Sequence, residues 1–338
     1  YSEVNVLGIT EILGHLPQLR RAMQNLLSAA RLRKPALAIL TDFPGFHLRL
    51  SRKLKPMGAK NIYYICPQFW AWRPWRANLV RRRFAQALCI FPFEEKFFAE
   101  AGVPVKFIGH PLVGEVHASF SRAEFEKKHG LVSAKKTVAI LPGSRWGEIA
   151  RHLSTLLESI REMERQTPGS CNFVLALSGG TELARVKTLI PGEMRLTIVQ
   201  GETYEALAAA DAAMICSGTA TVEAALLDVP MIVVYRVSKL TALLAKPLIR
   251  TKYFGMVNLI AEREVAPELI QEDFHPQRIA KQIRELLEPV RAARARADLA
   301  EVRSRLGPPG AVQRAAQAIL GLLPQDALFG SRASGNAS

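Results

Sequence analysis

Three absences narrow the field. Nowhere does the chain run for the roughly 18–20 uninterrupted apolar residues that a membrane-spanning helix needs. Even the apolar stretch from Ala212 to Tyr235 is broken by Glu223 and Asp228, so a soluble or peripheral protein is expected. Cysteine is scarce and scattered: Cys66, Cys89, Cys171 and Cys216 form no CxxC pair, and two of them close apolar runs. That pattern suits small core fillers in a reducing compartment better than a disulfide framework or a metal site. No internal repeat or low-complexity tract appears, which leaves ordinary globular domains.

What is present is length, apolar content and positive charge. A chain of 338 residues, 49% of them hydrophobic, can form two α/β domains, each with its own core. The formal net charge of +15 draws a protein toward polyanions: nucleic acid, anionic lipid or phosphorylated substrates. Gln18 to Lys34 (QLRRAMQNLLSAARLRK) reads as a basic amphipathic helix, and Arg81-Arg82-Arg83 adds a cluster near Trp70, Trp72 and Trp75. Basic residues beside aromatics suit a membrane interface, although the helix would read the same with its Leu and Met residues packed inward.

Short β-rich runs alternate with helical stretches. Ala36–Leu40, Ile62–Ile65, Leu88–Phe91 and Val105–Ile108 come first; Thr137–Leu141, Phe173–Leu177, Leu196–Val199, Ala212–Cys216 and Met231–Tyr235 follow. Strands spaced by helices of this length imply βαβ units and parallel sheets. The alternation pauses after Gly109-His110-Pro111, predicting a first domain over 1–112, a second over 113–322 and a small, polar, disordered tail over 323–338. Tyr1 and the residues after it do not read as the start of a domain, so a first domain lacking its beginning is expected.

Two constellations carry chemistry. Thr137-Val-Ala-Ile-Leu-Pro-Gly-Ser-Arg145 is a β run that breaks at a glycine turn before an amphipathic helix. Gly143, Ser144 and Arg145 would aim backbone N–H groups and a guanidinium fork at a phosphate. An ordinary βα turn would have the same sequence signature. In the second, Asp211 to Leu226, a strand leads into a Ser217-Gly218-Thr219 turn and a helix bearing Thr221 and Glu223. Hydroxyls and amides there suit a diphosphate and the carboxylate suits ribose hydroxyls, while Glu223 could equally serve the helix dipole.

Pro142-Gly-Ser-Arg145 followed by SGTATVEAALLDVPMIVVYR, then Asn258-Leu-Ile-Ala, Arg263 and Pro267-Glu-Leu-Ile, resembles the lipid-A-disaccharide synthase family of GT-B glycosyltransferases. The earlier part agrees: Gly8-Ile-Thr-Glu11, Thr41-Asp42-Phe-Pro-Gly-Phe-His47, Tyr64-Ile-Cys-Pro-Gln-Phe-Trp-Ala-Trp-Arg73, Phe91-Pro-Phe-Glu94 and Phe107-Ile-Gly-His-Pro111. The likeness covers roughly residues 4 to 285, and Pro-x-x-Trp-Ala-Trp-Arg is its most discriminating segment. It implies an α/β protein of the GT-B kind, two Rossmann-like domains with parallel sheets facing a cleft, the first incomplete.

The reaction implied is inverting, metal-independent transfer of diacylglucosamine from UDP-2,3-diacylglucosamine to 2,3-diacylglucosamine 1-phosphate (lipid X) in lipopolysaccharide biosynthesis. The UDP-sugar is then a substrate, and no cofactor or nucleic acid is implied. The setting implied is the anionic cytoplasmic face of the inner membrane, with a homodimer left open. No Asp-x-Asp pair that would hold a divalent ion occurs. Asp42 at a strand end is the expected base, with His47 second, and Arg145 with the Ser217–Thr221 turn would stabilise departing UDP. Arg236 and Asn258 are expected to close on the nucleotide, and Glu11, Trp70, Trp72 and Arg73 to line the acceptor side.

The chain departs from the family's Asp-x-Pro-Asp-Phe-Asn at Gly45 and His47, and the family's Gly-rich N-terminal loop is not found, so the chain is expected to be inactive by itself. A peptidoglycan-precursor glycosyltransferase would share the fold without the Trp-Ala-Trp-Arg segment, and a UDP-N-acetylglucosamine 2-epimerase would need other carboxylates. A non-enzymatic basic protein would leave both turns unexplained.

Overall fold

A computed structural model describes residues 9–238, 242 and 251–323, with side chains from residue 16 onward. Helix α1 (Ile9–Arg33) leads into a four-stranded sheet made of β1 (Leu37–Thr41), β2 (Lys60–Tyr64), β3 (Gln86–Cys89) and β4 (Val105–Phe107). These pair in parallel in chain order, linked by α2 (Pro44–Leu54), α3 (Phe69–Trp72), α4 (Ala77–Arg83) and α5 (Pro92–Glu100).

After α6 (Arg122–His129), a second parallel sheet follows: β5 (Lys136–Leu141), β6 (Cys171–Leu177), β7 (Thr197–Gln200), β8 (Ala212–Cys216), β9 (Met231–Tyr235) and β10 (Glu268–Ile270), in the order β10-β9-β8-β5-β6-β7. Its crossovers include α7 (Trp146–Gln166), α8 (Leu183–Lys187), α9 (Thr203–Ala208) and α10 (Ala220–Leu226). All nine β runs expected from the sequence are strands. The tenth, β10, is three residues long and hidden behind Pro267, whose carbonyl accepts from Val233 N at 2.8 Å.

Burial explains the pattern. β5 and β8 are covered on both faces, so they appear in the sequence as unbroken apolar runs rather than alternating ones. One stripe of α7 (Ile149, Leu153, Leu156, Leu157, Ile160) packs onto Val138, Ile140, Phe173, Leu175 and Met214 in the second core. Each such fully buried side chain contributes roughly 1.5–3 kcal/mol. The first core gathers Leu48, Leu54, Tyr63, Phe69, Val80, Phe98 and Val103, and α1 inserts Leu27 and Ala30 into it. On the same helix Leu26 and Leu32 stay exposed, so α1 is only partly a packing element.

The chain divides into two compact units, Tyr1–Pro111 with Pro308–Ser338, and Leu112–Gly307. The start of the second unit lies where the sequence pauses, but its end does not lie at 322. The helix Ala311–Leu320 belongs to the first unit, with Ala315 packed against Ile62, Leu88 and Ile108. Arg314 donates to the carbonyls of Ile108, Pro308 and Pro309 at 2.8, 2.6 and 2.8 Å, and Lys60 Nζ to the Leu322 carbonyl at 2.9 Å. The apolar face of a short helix does not reveal which core it completes, which is why the sequence misplaces 308–322. The expected tail, beyond Leu323, lies outside the described residues. Among the described residues no helix is long and apolar enough to cross a membrane.

Candidate active site

The second sheet winds in both directions from β5: β6 and β7 lie on one side, β8, β9 and β10 on the other. Open α/β sheets bind ligands outside the carboxyl ends of their strands at such a switch point. β5 and β8 are neighbours, with Leu141 opposite Ile215, so both glycine turns of the sequence emerge side by side there.

In the first turn Gly143 has φ +123°, and a Cβ on it would lie 2.5 Å from Glu148 Cβ and 2.7 Å from Glu148 Oε2. Only glycine fits. The amides of Ser144 and Arg145 donate to Glu148 Oε2 at 3.1 and 3.4 Å, and Arg145 Nη1 stands 3.8 Å from Glu148 Oε1. The anion seat expected here exists, but the chain's own carboxylate occupies it as a capping box at the start of α7. The spacing of Glu148, three residues after Arg145, was the readable signal for this cap.

The second turn is more open. Gly218 has φ +151° with nothing within 4 Å of where a Cβ would stand, and Gly218 and Thr219 are exposed. Two hydroxyls expected to meet a ligand are engaged elsewhere. Ser217 Oγ donates to the Phe254 carbonyl at 2.8 Å, and the fully buried Thr221 donates to Gly218 O at 2.8 Å, so Thr221 braces the turn from beneath. Glu223 faces Tyr204, whose hydroxyl donates to its Oε1 at 3.4 Å, and burial pushes the Glu223 carboxyl above the usual range.

Arg236 and Asn258, expected to close on the nucleotide, are used inside the unit. Arg236 directs its guanidinium to the carbonyls of Gln271 and Phe274 and lies 4.8 Å over the Phe274 ring. Asn258 is fully buried; it donates to Ala266 O (2.7 Å) and Glu268 Oε1 (2.8 Å) and accepts from the amides of Val265 and Ala266. All its capacity is spent on holding that loop.

A residue missed in the sequence lies beneath the first turn. His152, on the buried stripe of α7, places Nδ1 3.0 Å from the Pro142 carbonyl, while Arg236 N donates to Nε2 at 3.0 Å. A carbonyl only accepts, so Nδ1 carries the proton and Nε2 none. Burial pushes this imidazole below its usual range, consistent with a neutral brace tying the turn after β5 to the end of β9. Its position at the apolar spacing of α7 was visible; its hydrogen bonds were not.

In the first unit the strand ends look different. Asp42 (φ +54°) and Phe43 (φ +42°) follow β1, and Ile65 (φ +58°) follows the neighbouring β2. Left-handed backbone at non-glycine residues is costly and gathers at functional sites. The Asp42 turn is held through its carbonyl, which accepts from His47 Nδ1 at 2.8 Å and from the Tyr63 hydroxyl at 3.2 Å. The exposed Asp42 carboxylate is not what holds the turn, whereas His47, the second candidate base, is committed to it.

Trp70 behaves as a core residue: its indole N–H donates to Glu94 Oε1 at 3.1 Å and its ring meets Phe93 edge-on at 4.9 Å. Burial pushes the Glu94 carboxyl up to about 7 and lowers the buried His110 imidazole to about 4. Trp72 instead supports the Arg73 guanidinium, 4.2 Å over its ring. Glu11 lies in α1, and its side chain is outside the described residues. Among the described residues no three His, Cys, Asp or Glu side chains converge to hold a metal ion.

Comparison with known proteins bears on the family and the fold. Residues 1–321 match the family described as Lipid-A-disaccharide synthetase. A lipid-A-disaccharide synthase of Solibacter usitatus is 43% identical over 324 residues, covering 95% of this chain and 84% of the relative. One from Myxococcus xanthus is 39% identical with the same coverage. Among solved structures, the UDP-GlcNAc 2-epimerase from Neisseria meningitidis bound to UDP-GlcNAc superposes with a TM-score of 0.59 at 12% identity, covering 90% of this chain and 81% of that one. That likeness shows the GT-B fold and nothing finer. The chain belongs to the lipid-A-disaccharide synthase family, glycosyltransferases of lipid A biosynthesis.

Proposed function

We propose that this protein transfers 2,3-diacylglucosamine from its UDP derivative to 2,3-diacylglucosamine 1-phosphate, inverting the anomeric centre without a metal ion, on the cytoplasmic face of the inner membrane. The observation that carries the donor half is the pair of glycine turns side by side at the β5/β8 switch point. A diphosphate there would meet the amides after Gly143 and Gly218, with Glu148 displaced. Arg145 and the dipole of α7 would then stabilise the charge of departing UDP. Thr221, Asn258, Arg236 and His152 would support this half from beneath rather than touch the nucleotide.

On the acceptor half, Asp42 would take the proton from the attacking hydroxyl. Its carboxylate stands at the carboxyl end of β1 on a backbone held by His47 and Tyr63, an arrangement that fixes a base in place. Incubating the full-length protein with UDP-2,3-diacylglucosamine and the monosaccharide phosphate should give a β-1,6-linked disaccharide phosphate and UDP. Product with a polyprenyl-linked acceptor, and none with the diacylated pair, would replace this reading by that of a peptidoglycan-precursor enzyme.

A further inference from the structure

Two arginines of the first unit share one aromatic support. Arg73 caps α3, Arg76 ends the short turn Pro74–Arg76, and Arg49 lies on α2. One indole, that of Trp72, carries both the Arg73 guanidinium at 4.2 Å and the Arg76 guanidinium at 5.4 Å. Arg76 is also ringed by Phe69 at 5.8 Å and Trp75 at 5.6 Å, and is half-buried. Burial, then Arg73, then Arg49 push the Arg76 guanidinium below its ordinary value, so the charges feel one another.

Other arginines of the protein are compensated: Arg122, Arg263, Arg303 and Arg305 each hold a carboxylate at 3.0 Å or less. Among the described residues neither Arg73 nor Arg76 has one within 4.0 Å, and the supports they do have are aromatic faces. Like charges gathered on rigid supports with no counter-ion are a receptor for an anion. The cluster is also beside the proposed base. Tyr63, whose hydroxyl binds the Asp42 carbonyl, acts electrostatically on Arg76.

The geometry points to Arg73 and Arg76 as a binding site for a phosphomonoester, namely the 1-phosphate of the acceptor sugar. This rests on the proposed reaction for its substrate, and it assigns Arg76, which nothing in the sequence singled out. A dianionic phosphate with three outer oxygens matches forked guanidiniums, whereas a neutral sugar or acyl chain would leave their charges opposed. A bilayer headgroup fits less well, because Arg76 is half enclosed by rings, unlike the solvent-facing Arg81 and Arg82.

The test uses a soluble probe, so that it does not depend on turnover. Glucosamine 1-phosphate, but not glucosamine, should quench the indole fluorescence of the wild type, and Arg76→Ala should weaken that binding by roughly tenfold to a hundredfold, as the loss of a charge-assisted bond implies. Arg81→Ala should bind as the wild type does. In turnover, Arg76→Ala should raise KM for the phosphorylated acceptor by a similar factor while donor KM stays put. With an acceptor lacking the phosphate, wild type and variant should coincide.

Equal binding of both probes by the wild type, or equal losses on both acceptors, would overturn the site. So would an Arg76→Ala variant that keeps the preference for phosphate but no longer sediments with anionic vesicles. Phosphate-selective binding in a protein that forms no disaccharide would uphold the site and count against the proposed reaction alone.

Discussion

The two units solve the same problem, how a chain leaves the end of a parallel strand, with different residues. In the second unit the turns after β5 and β8 use glycines at φ +123° and +151°. In the first, the turns after β1 and β2 force Asp42, Phe43 and Ile65 into the left-handed region. Glycine removes side chains so that backbone amides can approach an anion closely. The first unit keeps its side chains there and tolerates strain to hold a carboxylate, with aromatic and cationic groups nearby. Under the proposed reaction, that difference would set donor recognition by backbone against acceptor recognition by side chain.

The comparison is sharpened most by removing charge from each half. Asp42→Asn keeps a residue that tolerates positive φ and keeps the carbonyl that accepts from His47 and Tyr63. Turnover should fall by about 10²–10⁴ with a thermal midpoint near that of the wild type. Arg145→Ala should lose about 10²–10³ in kcat. Near-normal rates for either, in a product-release assay, would remove that residue from its role.

Next in size is Gly143→Ala, where the new methyl meets Glu148 and the backbone favours no L side chain. Strain and overlap together should cost about 3–5 kcal/mol in urea unfolding. A cost below 1 kcal/mol would show that the turn has room, and the contrast between the units would weaken.

The smallest effect belongs to Glu94 in the first unit. Burial pushes its folded carboxyl up to about 7 against 4.5 in the unfolded chain, so the folded state binds the proton more tightly. Its contribution is fully present below about pH 4.5 and is lost as pH rises toward about 7, a drop on the order of 3 kcal/mol. Urea midpoints of wild type and Glu94→Gln at pH 5 and pH 8 should show the fall only in the wild type; parallel behaviour would remove Glu94 as its source.

Much of the fold was legible because strands of a parallel sheet are rich in apolar residues, most of all where both faces are covered as in β5 and β8, so nine stood out as runs between helices. β10 was not, being too short to carry a pattern. The site was legible where its chemistry lies in backbone shape: Gly143 and Gly218 are required by their φ values, and glycine is visible in a sequence. It was illegible where function depends on what a polar side chain faces. Asn258, Thr221 and Arg236 are residue types that bind nucleotides, yet each is spent on contacts within its own unit, and Glu148 fills the seat expected for phosphate.

By itself the sequence determined the two parallel sheets and the two glycine turns, because these follow from local periodicity and from residues that only one backbone conformation explains, and its motifs carried the resemblance to the family. Tertiary structure alone decided which core the helix Ala311–Leu320 completes, that His152 ties two strand ends together, and that Arg73 and Arg76 share the Trp72 ring. Those facts join residues far apart in the chain or turn on side-chain direction, and the pattern of a linear sequence carries neither.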